Sequence, residues 1–161
     1  MAQNFRELGH SQDKMRRISR HALVTYPADK MFSLVDDIES YPEFLPWCGG
    51  AEVHYREDNV VEATLELHRG SLSKSFRTRN TATNRQSIAM QLVDGPFRHL
   101  AGVWSFTQLG DSGSKVALEL EFEFSSRLVD VMLGSFFEDT CNSLVDAFTQ
   151  RANSIFNKTP S

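Results

Sequence analysis

A long amphipathic stretch near the C-terminus, from about Ser125 to Phe156, constrains the fold of this chain more than any other feature. Its apolar residues recur in steps of three and four, which places them on one stripe of an α-helix. Ser125 and Ser126 are suitable N-caps, because a serine oxygen accepts hydrogen bonds from the amides of a first helical turn. No proline interrupts the stretch, so we predict a single helix of roughly 28 residues, about 42 Å long. Its apolar stripe requires a large apolar surface to cover it.

The residues before this helix supply that surface as a series of strands. Apolar and polar residues alternate over 18–26, 51–56, 61–68, 72–79, 88–92, 104–106 and 116–124, with turn residues between these segments. Consecutive strands joined by tight turns indicate an antiparallel meander with one face exposed to solvent. In the second segment Ala51, Val53 and Tyr55 are predicted to face inward, and Glu62 is predicted to lie on the polar outer face of the third.

Two short helices are predicted between the first strand and the second. Pro27 fits the first position of a helix whose apolar residues end at Ile38. The two prolines of 41–48 limit that segment to one helical turn. Strands followed by a helix indicate the α+β class. The predicted architecture is a curved antiparallel sheet of about seven strands wrapped around the long C-terminal helix.

Length and charge narrow the class of protein. The 161 residues suffice for one domain with a real core. The formal net charge of −4 gives no general attraction to nucleic acid, and nothing indicates a DNA partner. No apolar run approaches the length of a membrane span, and no signal peptide is apparent. Cys48 and Cys141 have no metal or redox spacing. We therefore expect both thiols to be reduced and the protein to be cytoplasmic. The protein is expected either to be free in the cytoplasm or to contact the inner membrane peripherally.

The chain ends are expected to differ from the domain. Residues 1–14 are polar and aperiodic, so we predict a disordered N-terminal extension, a domain over 15–157 and a short tail over 158–161.

No catalytic or metal site is predicted. Nucleophile-elbow, zinc-protease, phosphate-loop and dinucleotide motifs are all missing from the sequence. His54 and His68 fall on the polar phase of their strands. Glu119, Glu121 and Glu123 form an acidic row, but a metal site needs converging ligands of mixed origin, so a solvated strand face is the better interpretation. We expect no catalytic residue, no metal and no required cofactor.

Several separated segments resemble one family. YPEFLPWC at 41–48, DGPF at 94–97 and WSF at 104–106 resemble motifs of the coenzyme Q-binding, polyketide cyclase-like family of the START-like superfamily. SKSFRTRN at 73–80 and VDAFTQRA at 145–152 resemble its bacterial branch, the ribosome association toxin RatA family. Trp47 is more similar to the quinone-binding relatives. The resemblance covers nearly the whole chain and implies a helix-grip fold with a hydrophobic cavity between the sheet and the C-terminal helix.

This resemblance implies two functions of different classes. Members of the family are associated with binding ubiquinone or its late precursors and with supporting respiration. The RatA branch is associated with binding the large ribosomal subunit and blocking subunit association. We expect the first as the molecular activity, namely non-enzymatic binding of ubiquinone or a polyprenyl quinone precursor as ligand. The second is the alternative, and the shared fold does not decide between them.

Apolar residues assigned to inward faces exceed what one sheet and one helix need to exclude water, so we predict that they line a lipid pocket. The segment 41–48 is either a plug of the core or a mobile lip, whose rings and prolines suit a flat quinone. We expect the mouth between this lip and residues 129–137, and tight packing over 144–156. The predicted cavity residues are Tyr41, Phe44, Leu45, Pro46, Trp47, Leu65, Phe76, Met90, Phe97, Trp104, Phe106, Leu133, Phe136 and Phe137.

A basic run lies between Leu67 and Val93, where no Asp or Glu occurs. It is either a solvated strand face or a docking patch for ribosomal RNA or anionic lipid headgroups. Phosphate contacts by Lys and Arg carry affinity without base specificity. The candidate docking residues are Arg69, Lys74, Arg77, Arg79 and Arg85.

Overall fold

One antiparallel sheet of seven strands dominates the fold, as the computed structural model of this chain shows for residues 15–157, the part it describes. The predicted N-terminal extension and C-terminal tail lie outside these residues. The strands are β1 Arg16–Val24, β2 Cys48–Glu57, β3 Val60–Arg69, β4 Leu72–Thr83, β5 Ser87–Asp94, β6 Phe97–Leu109 and β7 Gly113–Phe124. The helices are α1 Ala28–Asp36, a 3-10 helix Ile38–Glu43, α2 Arg127–Asn142 and α3 Leu144–Phe156. The predicted α+β class and helix-grip arrangement are confirmed.

The strands follow the order β1-β7-β6-β5-β4-β3-β2, so the sheet is open and β1 and β2 are its edges. From β2 to β7 each strand pairs with the next one in the chain, through tight turns in which Asp58, Gly70 and Gly110 have positive φ angles. Residues 25–47, with α1 and the 3-10 helix, carry the chain from one edge to the other. The predicted meander is confirmed, with β1 placed beside the last strand.

The predicted single C-terminal helix is wrong, because the helix is broken at Ser143. The Ser143 backbone N–H contacts the carbonyl oxygens of Asp139 and Thr140, each at 3.1 Å, and the Ser143 hydroxyl donates to the Thr140 carbonyl at 2.7 Å. A serine hydroxyl competes with the backbone for helical hydrogen bonds and favours such a local tightening. The predicted cap at the start is confirmed, since the Ser126 side chain accepts from the Val129 amide at 3.1 Å.

The beginning of α1 and the phase of β2 also differ from the prediction. Pro27 precedes α1 as its N-cap instead of occupying its first turn. In β2 a register shift between Val53 and Tyr55 inserts one extra residue opposite β3. This bulge reverses the alternation, because two residues then oppose one. Tyr55 therefore lies on the outer face beside Glu62, and Arg56 turns towards α1, where it pairs with Asp36 at 3.0 Å.

Aromatic pairs fix the C-terminal helices over β6 and β7. On α2, the Phe137 ring contacts Phe122 edge-on with centroids 4.8 Å apart and lies 5.3 Å from Phe97. On α3, the Phe148 ring contacts Trp104 edge-on at 5.4 Å. Such pairs add about 0.5–1.5 kcal/mol each beyond the area that they bury. The helices are therefore held above the β1–β7–β6 side of the sheet.

An ion-pair clamp ties α2 to β1. The Arg16 guanidinium pairs with Asp130 at 2.9 Å and with Glu138 at 2.5 Å. These two acids lie on the same face of α2 as Gly134, one about a turn before it and the other about a turn after it. A Cβ atom at Gly134 would overlap the Asp130 carboxylate and lie 2.6 Å from the Arg16 Nη2 atom. Glycine is therefore required for the arginine to lie against the helix.

Candidate ligand cavity

A small cavity, partly open to the surface, lies between the inner face of the sheet and the junction of α2 with α3. Its volume is about 80 Å³, which leaves room for a few water molecules at roughly 10–15 Å³ each. The walls are almost entirely apolar. The lining residues are Ile38, Tyr41, Trp47, Ala63, Leu65, Phe76, Thr78, Asn80, Met90, Leu100, Trp104, Leu118, Leu120, Phe137, Thr140, Cys141, Leu144 and Phe148.

The cavity exists because the helices cover the sheet unevenly. The backbones of α2 and α3 approach β1 and β7, while β3, β4 and β5 make no comparably close approach to them. Leu65, Phe76 and Met90 on those three strands line the cavity together with Phe137 and Cys141 on α2. The gap between these two groups of side chains is the cavity.

Gly102 on β6 lets two of the walls pack closely. A Cβ atom there would lie 2.7 Å from the Glu119 carbonyl oxygen, 2.7 Å from Leu120 Cδ1 and 3.1 Å from Met90 Cε. Leu120 and Met90 both line the cavity. A side chain at this position would push the cavity walls or the backbone of β7.

One buried donor in the cavity wall lacks an acceptor. The Trp47 ring lines the cavity, and its Nε1–H is buried without a hydrogen-bond partner among the residues that the structure describes. A buried donor left unpaired costs about 1–3 kcal/mol. On β4, the Thr78 hydroxyl donates to the Asn80 side-chain oxygen at 3.0 Å, so the Asn80 amide group is a second polar feature of the wall. The unpaired indole N–H is therefore an unmet hydrogen-bonding group in a residue of the cavity wall.

The two titratable groups of the cavity wall stay neutral. Burial, and to a lesser degree the charge of Asp36, raises the pKa of Tyr41 far above its ordinary value. The Tyr41 hydroxyl donates to the Val35 carbonyl at 2.5 Å. Burial, with a smaller effect of Glu138, likewise raises the pKa of the Cys141 thiol. Neither group ionises near neutral pH, so the wall carries no charge.

The structure brings together only part of the predicted cavity set. The predicted residues that line the cavity are Tyr41, Trp47, Leu65, Phe76, Met90, Trp104 and Phe137, and those placed elsewhere are Phe44, Leu45, Pro46, Phe97, Phe106, Leu133 and Phe136. Phe44 packs edge-on against Phe148 at 5.2 Å and lies under the Arg151 guanidinium at 4.8 Å. Leu45, Phe97, Phe106 and Leu133 are buried in the core, Pro46 is exposed, and Phe136 is half-buried.

The cavity is centred on the helix junction instead of the first half of the predicted helix. Thr140 and Cys141 precede the break at Ser143, and Leu144 and Phe148 follow it, and all four of these neighbours line the cavity. The expected division into a pocket half and a tightly packed half is therefore wrong. Thr78 and Asn80 were also missed, although they continue the inward phase that Phe76 sets on β4.

Arg77 and Arg79 are engaged on the outer face of the sheet. Both guanidinium groups pair with Glu62, at 2.7 Å and 2.9 Å, and the Tyr55 hydroxyl donates to the same carboxylate at 2.8 Å. Glu62 thus lies on the outer face as predicted, but these partners cover it so that it is only 4% exposed. Hydrogen bonds from Tyr55, then Arg79 and Arg77, hold the pKa of Glu62 below its ordinary value.

The other basic candidates lie in two further places. Arg69 donates to the Met132 carbonyl of α2 at 3.0 Å. Lys74, which stands opposite Leu67 on the same β3–β4 hairpin, is exposed. Arg85, in the turn before β5, donates to the Ser33 hydroxyl of α1 at 2.6 Å and lies over the Phe32 ring at 4.6 Å. The predicted basic residues are thus distributed over three sites instead of one patch.

The acidic row has polar and charged partners on the neighbouring strands. Glu119 accepts from the Ser19 hydroxyl at 2.6 Å, and Glu121 lies 3.0 Å from His99 and 3.5 Å from Arg17. Within residues 15–157, no group of three or more His, Cys, Asp or Glu side chains is arranged to hold a metal ion. No helix in the same part of the chain is both long and apolar enough to cross a bilayer.

Comparisons with known proteins agree with this geometry. The profile of the polyketide cyclase/dehydrase and lipid transport family matches residues 24–149. The ribosome association toxin RatA of Vibrio cholerae is 44% identical over 142 residues, which cover 88% of this chain and 99% of that protein. The mitochondrial coenzyme Q-binding protein COQ10 of Dictyostelium discoideum is 25% identical over 153 residues, which cover 91% of this chain and 75% of that protein.

Solved structures show the same fold. The aromatase/cyclase ZhuI of Streptomyces sp. R1128 superposes with a TM-score of 0.77 at 16% identity, over 91% of this chain and 99% of that one. A START superfamily protein of Mycobacterium smegmatis gives a TM-score of 0.73 at 21% identity, over 86% of this chain and 98% of that one. The chain belongs to the START-like polyketide cyclase and lipid transport family, within the branch that contains RatA.

Proposed function

We propose that this protein binds ubiquinone or a polyprenyl quinone precursor, without catalysing a reaction, and thereby supports ubiquinone synthesis or function in respiration. The observation that carries the proposal is the buried indole N–H of Trp47, which has no acceptor among the described residues of an otherwise apolar cavity. A quinone offers carbonyl oxygens as acceptors on a flat apolar ring, which is the combination that this wall requires. The similarity to a coenzyme Q-binding protein supports the same class of ligand.

Binding requires the cavity to expand. Its volume of about 80 Å³ is well below the roughly 300–1,000 Å³ of pockets for drug-sized ligands. Leu65, Met90 and Leu144 line the cavity and are only half-buried, so they have space in which to move. Methionine changes rotamer easily because its chain is unbranched. We expect a quinone ring to enter by displacing these three side chains beside the break at Ser143.

The chemistry of the wall favours binding over catalysis. General acid–base catalysis near neutral pH requires a group whose pKa lies near that pH. Tyr41 and Cys141 are the titratable side chains of the lining, and burial raises the pKa of both. The neutral, apolar wall therefore supports a carrier or chaperone of a hydrophobic molecule.

Quinone binding is tested by extracting lipid from natively purified protein and by titrating the apo-protein with a short-chain ubiquinone in a calorimeter. Mass spectrometry of the extract is expected to show a polyprenyl quinone. Trp47→Phe keeps an aromatic ring but removes the N–H, so it is expected to weaken binding about two- to tenfold, corresponding to about 0.5–1.5 kcal/mol.

Phe136→Leu is the matched control, because Phe136 lies off the cavity. It is expected to bind as the unmodified protein does. An extract without quinone, together with no heat of binding from added ubiquinone, would overturn the proposal. Equal effects of the two substitutions would remove the role of the indole N–H.

A second function, of a different class, is favoured by one specific observation. A relative that is 44% identical and matches over 99% of its own length is named a ribosome association toxin. We propose as the alternative that this protein binds the large ribosomal subunit, blocks subunit association and so inhibits translation. Gradient sedimentation of purified subunits with the protein tests it: a reduced yield of joined ribosomes supports this function, and an unchanged yield with no co-sedimentation refutes it.

A further inference from the structure

The first turns of α2 carry an apolar tip that nothing in the described part of the chain covers. Leu128 is 68% exposed, Val131 75% and Met132 43%. These residues are spaced by three and four positions, so they share one side of the helix. The opposite side carries Leu133 and Phe137, which are buried in the core. The tip is therefore a second apolar surface of α2, separate from the surface that packs on the sheet.

Three cations surround this tip. Arg127 is exposed and directly precedes Leu128. Arg69 reaches the tip from β3, where it donates to the Met132 carbonyl and lies 5.3 Å from the centre of the Phe136 ring. Lys74 is exposed on the neighbouring strand of the same hairpin. Within residues 15–157, neither Arg127 nor Lys74 forms an ion pair.

The acidic groups of α2 are directed elsewhere or lie further along the helix. Asp130 and Glu138 pair with Arg16 on the side that faces β1. Asp139 lies about two helical turns beyond the tip. Arg127 stands at the N-terminal end of the helix, where a cation opposes the macrodipole. Its position therefore does not serve helix stability, and the chain as a whole carries a net charge of −4.

We propose that the α2 tip docks this protein on an anionic lipid bilayer, with Leu128, Val131 and Met132 inserted between headgroups and with Arg69, Lys74 and Arg127 against lipid phosphates. Apolar side chains on one side of a helix with flanking Lys and Arg are what an anionic interface binds. The tip projects outward as single side chains, which suits insertion into a fluid headgroup layer. The inference stands apart from the quinone proposal, because docking requires no ligand in the cavity.

Flotation with vesicles that contain no quinone tests the docking. The full chain is expected to float with phosphatidylcholine–phosphatidylglycerol vesicles and to bind pure phosphatidylcholine at least tenfold more weakly. Raising the salt concentration is expected to release it, because salt screens surface charge. Each Lys or Arg near an anionic surface contributes about a fivefold factor in partitioning, so Lys74→Ala with Arg127→Ala is expected to lower it about 25-fold.

The controls are matched by residue type and exposure. Leu128→Glu is compared with Leu23→Glu, because Leu23 on β1 is 71% exposed at another place on the surface. The charge variant is compared with Arg20→Ala combined with Lys115→Ala, two exposed cations on β1 and β7. Only the tip variants are expected to lose vesicle binding, with circular dichroism spectra unchanged.

Three results would overturn the proposal. The first is no flotation with anionic vesicles at low salt. The second is equal loss in Leu128→Glu and Leu23→Glu. The third is sedimentation velocity that shows a dimer dispersed by Leu128→Glu, since the tip would then bind a second copy of this chain.

Discussion

Gly134 on α2 is predicted to be stabilising only because it admits Arg16, and Gly134→Ala tests this directly. An alanine methyl group would overlap the Asp130 carboxylate and lie 2.6 Å from Arg16 Nη2. The nearest atoms are the ends of side chains, so the helix itself can accept the methyl group. What it displaces is the ion pair of Arg16 with Asp130 and, through the same guanidinium, with Glu138.

Two opposing terms set the magnitude. Replacing Gly with Ala in a helix interior favours folding by about 1 kcal/mol. Hydrogen bonds to charged groups contribute about 1.5–3 kcal/mol when buried, and much less when exposed. Because the side chains of Arg16 and its partners are between 25% and 38% exposed, we assign about 2 kcal/mol to the clamp. The net expectation is that Gly134→Ala lowers the free energy of unfolding by about 1 kcal/mol.

The sign reverses once the arginine is removed. In an Arg16→Ala background the Asp130 side chain can turn to solvent, so Gly134→Ala should then stabilise by about 0.5–1 kcal/mol. Urea unfolding of the unmodified protein, both single variants and the double variant gives a coupling energy expected near 2 kcal/mol. An equal stabilisation by Gly134→Ala in both backgrounds would refute the assignment of this glycine to the clamp.

Two further changes test the outer face and the cavity. Glu62→Gln should destabilise the protein at neutral pH. Because the folded state holds the pKa of Glu62 below its ordinary value, this contribution is complete above the ordinary pKa and is lost as the pH falls through the lower one. Urea unfolding as a function of pH should therefore show the two proteins converging in acid, and a difference independent of pH would contradict the assignment. Gly102→Ala should lower the free energy of unfolding by about 1–3 kcal/mol, because its Cβ would lie 2.7 Å from the Glu119 carbonyl oxygen. An unchanged melting temperature would contradict this.

The sequence predicted the sheet well wherever residues alternate strictly between the core and the outer face. In β7 the residues from Val116 to Phe124 alternate between the core and the acidic outer face, and the structure buries the apolar phase throughout. Pairing of β7 with β1 could not be read from the alternation, since it depends on which edge remains open.

The errors in the phase of β2 and in the length of the C-terminal helix arise where one residue breaks a period. The extra residue at His54 reverses the inward and outward phase of β2 after Val53. This bulge is a feature of the pairing with β3, so the alternation of residues within β2 does not reveal it. Ser143 interrupts a helical pattern that continues unbroken in the apolar residues on both sides. The polar strand phase correctly placed Glu62 on the outer face, but it could not show that the side chain is covered there. Only the register between strands shows that Arg79 stands directly opposite it.

The placement of the cavity depends on a property that periodicity does not carry, the height of the helices above each part of the sheet. An apolar stripe has the same sequence pattern whether its residues pack in a core or line a cavity. Here Arg16 and Gly134 bring α2 against β1, and the Phe148–Trp104 pair holds α3 over β6. With both helices fixed on that side, the side chains from β3 to β5 fill the space beneath them only in part, as where the Phe76 ring meets Phe137 edge-on at 5.8 Å. The remaining space is the cavity. We infer that a ligand enlarges it by moving the β3–β5 wall and the helix junction, while the clamp on β1 stays closed.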